Sequence, residues 1–218
     1  MKRTFLFITL MMAVSLSVMA QTESKHYVNV KFGDGTVRSF EATPNMKVTF
    51  GEKEEIGTIN GHAYVELAGY KWATENVANF EKGLTTFAID PTYGLYYTQS
   101  NDNAKNAAES WGGTWTLPTE EQWQKLIDEC DWTWKKDYSY GGKTMNGYIV
   151  SDNKDPSKFI FLPAAGIYLD GGNFVGGRGN GGYYWSTDNE RYLLFNNGFR
   201  RMSYYNPGNG MAVRPVSY

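Results

Sequence analysis

The sequence has a single cysteine, Cys130, in 218 residues. No disulfide can form within the chain, and no two-thiolate metal site can assemble inside it. It has two histidines, His26 and His62, and neither has a second His or Cys at ligand spacing, so no zinc-type cluster and no other cofactor is expected. Neither sign of charge dominates: 21 Lys and Arg stand against 23 Asp and Glu. The cations are scattered rather than gathered into a stripe that neutralises a row of phosphates, so nucleic acid is not an expected partner. Beyond the first twenty residues there is no apolar run long enough to cross a bilayer.

Aromatic side chains and glycine are abundant, with 7 Trp, 16 Tyr, 12 Phe and 24 Gly. That balance favours short strands joined by tight turns and predicts a strand-dominated, antiparallel α+β fold. The length suits one generous domain with a small appendage.

The first twenty residues read as a secretory signal. Lys2 and Arg3 are the basic start, Phe5 to Val18 the apolar run, and Val18-Met19-Ala20 the cleavage site. The run is shorter than the roughly 20 residues of a membrane span. The mature chain is expected to begin at Gln21 and to lie in the periplasm, at the cell surface or outside the cell. With no Cys after the cleavage site, a lipoprotein is not expected.

Residues 21–55 read as a small β unit and linker. Two alternating runs, His26 to Phe32 and Thr36 to Phe40, flank an Asp34-Gly35 turn, and a third run follows at Met46 to Phe50. The charged stretch Gly51 to Glu55 marks a boundary, and the main domain spans 56–218. Two helices are predicted within it. One covers Asp102 to Trp111, with Asp102 as cap and Gly112-Gly113 as stop; the other begins at Thr119, where Gln122 completes a capping box. Trp123, Leu126, Ile127 and Cys130 form the apolar stripe of the second helix, so Cys130 is expected to be a buried hydrophobe rather than a nucleophile. The alternation of Trp132 and Trp134 past its end is expected to expose one of them. Strands are predicted at Tyr93–Thr98, Gly147–Val150, Phe159–Leu162, Tyr183–Ser186, Arg191–Phe195, Phe199–Tyr204 and Met211–Val216.

Several words of the sequence fall in a recognisable order. They are Gly69-Tyr70-Lys71-Trp72-Ala73-Thr74-Glu75-Asn76-Val77, Tyr93-Gly94-Leu95-Tyr96-Tyr97, Trp115-Thr116-Leu117-Pro118-Thr119 with Glu121-Gln122-Trp123, Phe161-Leu162-Pro163-Ala164-Ala165-Gly166, Tyr184-Trp185-Ser186 and Val213-Arg214-Pro215-Val216. Together they resemble the FISUMP family, the Fibrobacter succinogenes major paralogous domain. The resemblance covers about residues 56–218 and implies a C-type-lectin-like fold related to the formylglycine-generating sulfatase-modifying enzymes, in secreted or surface proteins. Those enzymes use a pair of active-site cysteines with copper, and Cys130 alone does not supply one. The calcium-site words of sugar-binding C-type lectins are absent, so glycan binding here would be calcium-independent.

Read from the residues, Trp72, Trp115, Trp123 and Trp185 are core side chains, and Arg214 is a buried structural guanidinium. Asp152-Asn153-Lys154-Asp155 looks like a calcium loop, but Lys154 and Pro156 stand where oxygen ligands are wanted, so it reads as a turn. The glycine pattern Gly177 to Gly182 leads into a strand instead of a helix, which excludes a dinucleotide site. No carboxylate spacing marks an acid/base couple, and no catalytic residue is nominated. The remaining candidates lie in loop 166–182 and the segment after Phe199. Tyr168, Asn173, Arg178, Asn180, Tyr204 and Tyr205 combine aromatic planes with hydrogen-bonding groups suited to carbohydrate or to another protein. The expected role is a binding or adhesion module, with a structural part in a surface assembly as the alternative and an unrecognised enzyme third. Oligomeric state is not legible.

Overall fold

The computed structural model describes residues 27–31, 37–41, 57–78, 93–169, 175–188 and 190–218. The expected signal (1–20), the third N-terminal run (46–50), the linker (51–55) and Asn173 lie outside these residues. The chain divides into two compact units, Met1–Lys53 and Glu54–Tyr218. In the first, β1 (Tyr27–Lys31) and β2 (Val37–Glu41) pair antiparallel, with Tyr27 opposite Glu41 and Lys31 opposite Val37.

The second unit opens with β3 (Gly57–Ile59), β4 (His62–Leu67) and β5 (Tyr70–Ala73), followed by α1 (Asn103–Glu109) and α2 (Glu120–Glu129). Next come β6 (Cys130–Tyr140), β7 (Lys143–Asp152), β8 (Phe159–Pro163), β9 (Ile167–Tyr168), β10 (Val175–Gly176), β11 (Gly181–Trp185), β12 (Arg191–Asn196), β13 (Phe199–Tyr204) and β14 (Val216–Ser217). The strands form three small antiparallel sheets, ordered β14-β5-β4-β3, β6-β7-β8 and β11-β12-β13, with β9 and β10 as a separate pair. With two short helices, the class is α+β. Among the described residues no helix is long and apolar enough to cross a membrane.

Turn chemistry sets the hairpins. Asn60 and Gly61 (φ 48° and 84°) join β3 to β4, and Gly141 and Gly142 (φ 56° and 78°) join β6 to β7. Positive φ at both central residues is what the tightest two-residue hairpin turn requires.

The capping box of α2 is complete: Thr119 Oγ1 accepts from the Gln122 N–H at 3.1 Å, and Gln122 Oε1 accepts from the Thr119 N–H at 2.9 Å. The expected cap of α1 does not form. Asp102 occupies the cap position at φ 56° with no side-chain hydrogen bond, whereas a capping side chain needs an extended backbone to reach back to the first amides. Two further expectations are corrected. Neither Trp132 nor Trp134 is exposed; both lie half-buried on one face of the eleven-residue β6, a strand hidden from the sequence reading by the irregularity between Lys135 and Tyr138. Residues 211–216 do not form a single strand. They divide their backbone bonds among Tyr97, Tyr183, Trp185, Val77, Ala73 and Thr116, and so stitch the sheets together.

Trp72, Trp123 and Trp185 are fully buried, and Trp115 is nearly so. They serve two cores, one holding Trp72, Trp123, Tyr184 and Phe195, the other Trp111, Trp115, Trp185 and Tyr97. Gly182 lies opposite Phe195, and a Cβ there would stand 2.0 Å from the Phe195 ring. Gly182→Ala is therefore expected to cost about 1–3 kcal/mol by overpacking, read as a fall in the denaturant midpoint with an unchanged slope.

Candidate functional site

Among the described residues, four chain segments meet at a cleft of about 980 Å³. Asn60 comes from the β3–β4 turn and His62 from the start of β4; Thr74, Glu75 and Asn76 follow β5; Ser110 and Trp111 follow α1; Tyr140 ends β6. The volume is at the upper end of the roughly 300–1,000 Å³ of small-molecule sites.

The floor is rigid. The Asn76 amide donates to the Tyr93 carbonyl at 2.7 Å and to the Tyr184 hydroxyl at 3.3 Å, and its oxygen accepts from Arg214 Nε at 2.7 Å. Arg214 also donates to the Ala73 and Phe161 carbonyls, both at 2.8 Å, and has no solvent exposure. The expected buried guanidinium is thus the strut beneath the cleft.

One wall is aromatic. His62 stacks on Trp111 with ring centroids 3.7 Å apart and planes 3° from parallel, and Trp115 meets Trp111 edge-on at 5.8 Å. The Asn60 amide donates to the Trp111 carbonyl, fixing the base of that ring. Opposite, the Tyr140 hydroxyl donates to the Thr74 carbonyl at 2.8 Å. Burial pushes the Tyr140 phenol above its ordinary value, against the pull of Arg214 and with the help of Glu75. Ser110 Oγ donates to the Ala107 carbonyl at 2.7 Å, so its proton is directed back into α1. Glu75, with 61% side-chain exposure, stands at the rim, 3.7 Å from His62 Nδ1. The cleft is therefore lined by the His62 ring, with the buried Trp111 ring stacked against it, by amide and hydroxyl edges, and by the Glu75 carboxylate.

None of Tyr168, Arg178, Asn180, Tyr204 and Tyr205 is among the described lining residues of this cleft. Gly181 pairs with Asn196 and Arg191 with Tyr204, so Asn180 and Tyr204 sit at opposite ends of the β11-β12-β13 sheet, roughly 17 Å apart for five residues of strand. Tyr204 is exposed; Tyr205 donates its N–H to the Glu190 carbonyl and sets its ring edge-on to Tyr192 at 6.4 Å. Tyr168 is half-buried, its backbone bonded both ways to Gly210. The Arg178 guanidinium lies 5.1 Å over the Tyr93 ring and Nη2 donates to the Tyr96 hydroxyl at 3.1 Å, while Nε is buried without a hydrogen-bond partner among the described residues. A guanidinium with aromatic planes at hand stacks on them in preference to standing in water.

Of the cleft residues, only His62 was weighed for chemistry, as a metal ligand; Thr74, Glu75 and Asn76 entered as words of the family resemblance and Trp111 as the end of a helix. The Asn60-Gly61 and Gly141-Gly142 pairs were the signals that place two hairpin tips beside each other.

Asp152 Oδ1 accepts from the Lys154 and Asp155 N–H groups at 2.7 and 2.9 Å, which holds its carboxyl below the usual range and closes the segment on itself. Among the described residues no three His, Cys, Asp or Glu side chains converge on a metal position.

Cys130 is buried away from the cleft, and burial, reinforced by Asp152, Glu129 and Asp131, pushes its thiol up to about 11. At pH 8 the native thiol is expected to react with an aromatic disulfide reagent roughly 100-fold more slowly than an exposed cysteine, with full reactivity on unfolding. The fold holds this proton more tightly than the unfolded chain does. That contribution is complete below about pH 9 and is lost as pH rises through about 11, which an alkaline unfolding scan reads directly.

No protein-family model, no curated protein and no solved structure matches the chain.

Proposed function

We propose that this chain is an exported, non-catalytic binding module of the FISUMP type, and that its C-type-lectin-like domain takes a saccharide in the cleft between His62 and Tyr140 without calcium. The observation that carries the reading is the cleft itself. It combines a stacking pair on one wall with side-chain amides, hydroxyls and a carboxylate at its edges, the complement of a sugar's apolar face and its hydroxyls. The α+β class with mostly antiparallel strands and the Leu117-Pro118-Thr119 cap leading into α2 agree with the family's words. Hydroxyl protons bound to backbone carbonyls, at Ser110 and Tyr140, favour binding over nucleophilic chemistry. The test is a glycan-array screen of the purified protein with calcium and again with chelator. The reading expects selective binding that chelator does not change and that His62→Ala weakens; binding that requires calcium, or that His62→Ala leaves intact, counts against it.

The second reading is a joining element in a surface assembly. It is favoured by Tyr27 and Val37, exposed at 54% and 57% in the β1–β2 hairpin. An empty array together with self-association of the protein in sedimentation would select it.

A further inference from the structure

We propose that the saccharide taken by the cleft carries a free amino group, which the Glu75 carboxylate holds at the rim. The inference rests on the reading of the cleft as a saccharide site and adds the charge of its ligand.

No lysine or arginine is among the described lining residues. Arg214, beneath the floor, has no solvent exposure and is committed to Asn76, Ala73 and Phe161. Among the described lining residues Glu75 is the one permanent charge. Its contact with His62 at 3.7 Å is well beyond the roughly 2.7–2.9 Å of a charge-assisted hydrogen bond, so its lone pairs are not committed to that ring. The influence of Glu75 extends inward, since its charge adds to the upward push on the Tyr140 phenol.

An acidic sugar seated here would bring a second carboxylate beside Glu75, with no lysine or arginine among the described lining residues to separate them, and like charges brought together across an interface are strongly disfavoured. A neutral sugar would shield Glu75 from water and supply only hydroxyl donors. An ammonium supplies three donors and the opposite charge in one group. The aromatic wall suits the same ligand, because an amino sugar retains the apolar ring face that stacks.

The experiment is isothermal titration of the full protein near neutral pH with trisaccharides of the gluco and galacto series that differ only at the terminal C6, bearing an amine, a hydroxyl or a carboxylate. A primary amine is protonated under these conditions. The expected order is amine tighter than hydroxyl by roughly five-fold, the size of a partly exposed ion pair, with the carboxylate weakest. Glu75→Gln, an isosteric change at an exposed rim position, is expected to bring the ratio of amine to hydroxyl affinity down to about one, whatever it does to the affinity for the hydroxyl sugar itself. Equal affinity for amine and hydroxyl, or an advantage that survives Glu75→Gln, overturns the inference and leaves the saccharide site standing. Failure of all the trisaccharides to bind overturns the saccharide reading and the inference together.

Discussion

Replacing Arg214 with methionine is expected to lower the unfolding free energy by about 3–5 kcal/mol, the cost of breaking a fully buried charged hydrogen-bond set by removing one partner. The guanidinium has no solvent exposure and makes three bonds of 2.7–2.8 Å, to Asn76 Oδ1 and to the Ala73 and Phe161 carbonyls. Its acceptors come from the end of β5, the segment after it and β8, so one side chain ties the four-stranded sheet to the β6-β7-β8 sheet. Methionine fills part of the volume but leaves three acceptors facing a dry interior, each worth about 1–3 kcal/mol when stranded. For a unit of this size the loss is expected to lower the melting temperature by about 10 °C. Arg214→Lys is expected to do little better, because an ammonium lacks the planar fork that reaches three divergent acceptors. Urea unfolding followed by tryptophan fluorescence reads both variants, and a loss below about 1 kcal/mol would mean that the strut is not structural. Because Arg214 also holds Asn76, the cleft floor is expected to loosen with it, and ligand affinity should fall even at temperatures where the variant stays folded.

Trp185→Ala is expected to cost a similar amount, about 3–5 kcal/mol. The indole is fully buried in the second core, edge-on to Tyr192 at 6.1 Å, and its Nε1 donates to the Tyr97 carbonyl at 2.7 Å. The Trp185 carbonyl in turn accepts from Trp123 Nε1 at 3.2 Å, so the residue links the two aromatic cores. Trp185→Phe separates volume from hydrogen bonding. It retains most of the apolar area, and the Tyr97 carbonyl still accepts from the Met211 N–H at 3.0 Å, so the expected cost is only about 1–2 kcal/mol. Differential scanning calorimetry on the pair reads the difference; equal losses for alanine and phenylalanine would show that packing volume is not what the indole contributes.

What the sequence made legible was local. Thr119 and Gln122 stand at the spacing that closes a capping box, and the box is closed. The four core tryptophans were readable because a large apolar ring in a strand-rich chain has few places to go. Arg214 was readable because it is flanked on both sides by residues that bury. The failures came where the outcome depends on other segments. Asp102 has the chemistry of a cap, but the preceding 3-10 turn leaves it with a left-handed backbone that cannot deliver its carboxylate. The run 211–216 alternates like a strand, yet its partners come from six places, so no single ladder forms.

The residues nominated for binding were chosen by loop composition, whereas the cleft residues are brought together by packing. Glycine-spaced aromatics in loop 166–182 have the composition of a ligand loop, but the described part of that loop spends Arg178 on Tyr93 and Tyr96 and ties Tyr168 to Gly210. Among the described residues the cleft draws a few from each of four segments, none conspicuous by itself. Glu75 and Asn76 are adjacent in sequence, yet one forms the exposed rim and the other the buried floor. The packing of β4, β5, α1 and the β6–β7 turn brings them to one cleft.

The central claim is that the ligand occupies this cleft, and hydrogen exchange of the full protein with and without the C6-amino trisaccharide tests it most directly. The account predicts slowed exchange at residues 60–62, 74–76, 110–111 and 140–141, with residues 177–180 and 204–205 unchanged. Protection confined to 177–180 or 204–205, with the cleft segments exchanging as in the free protein, would contradict it.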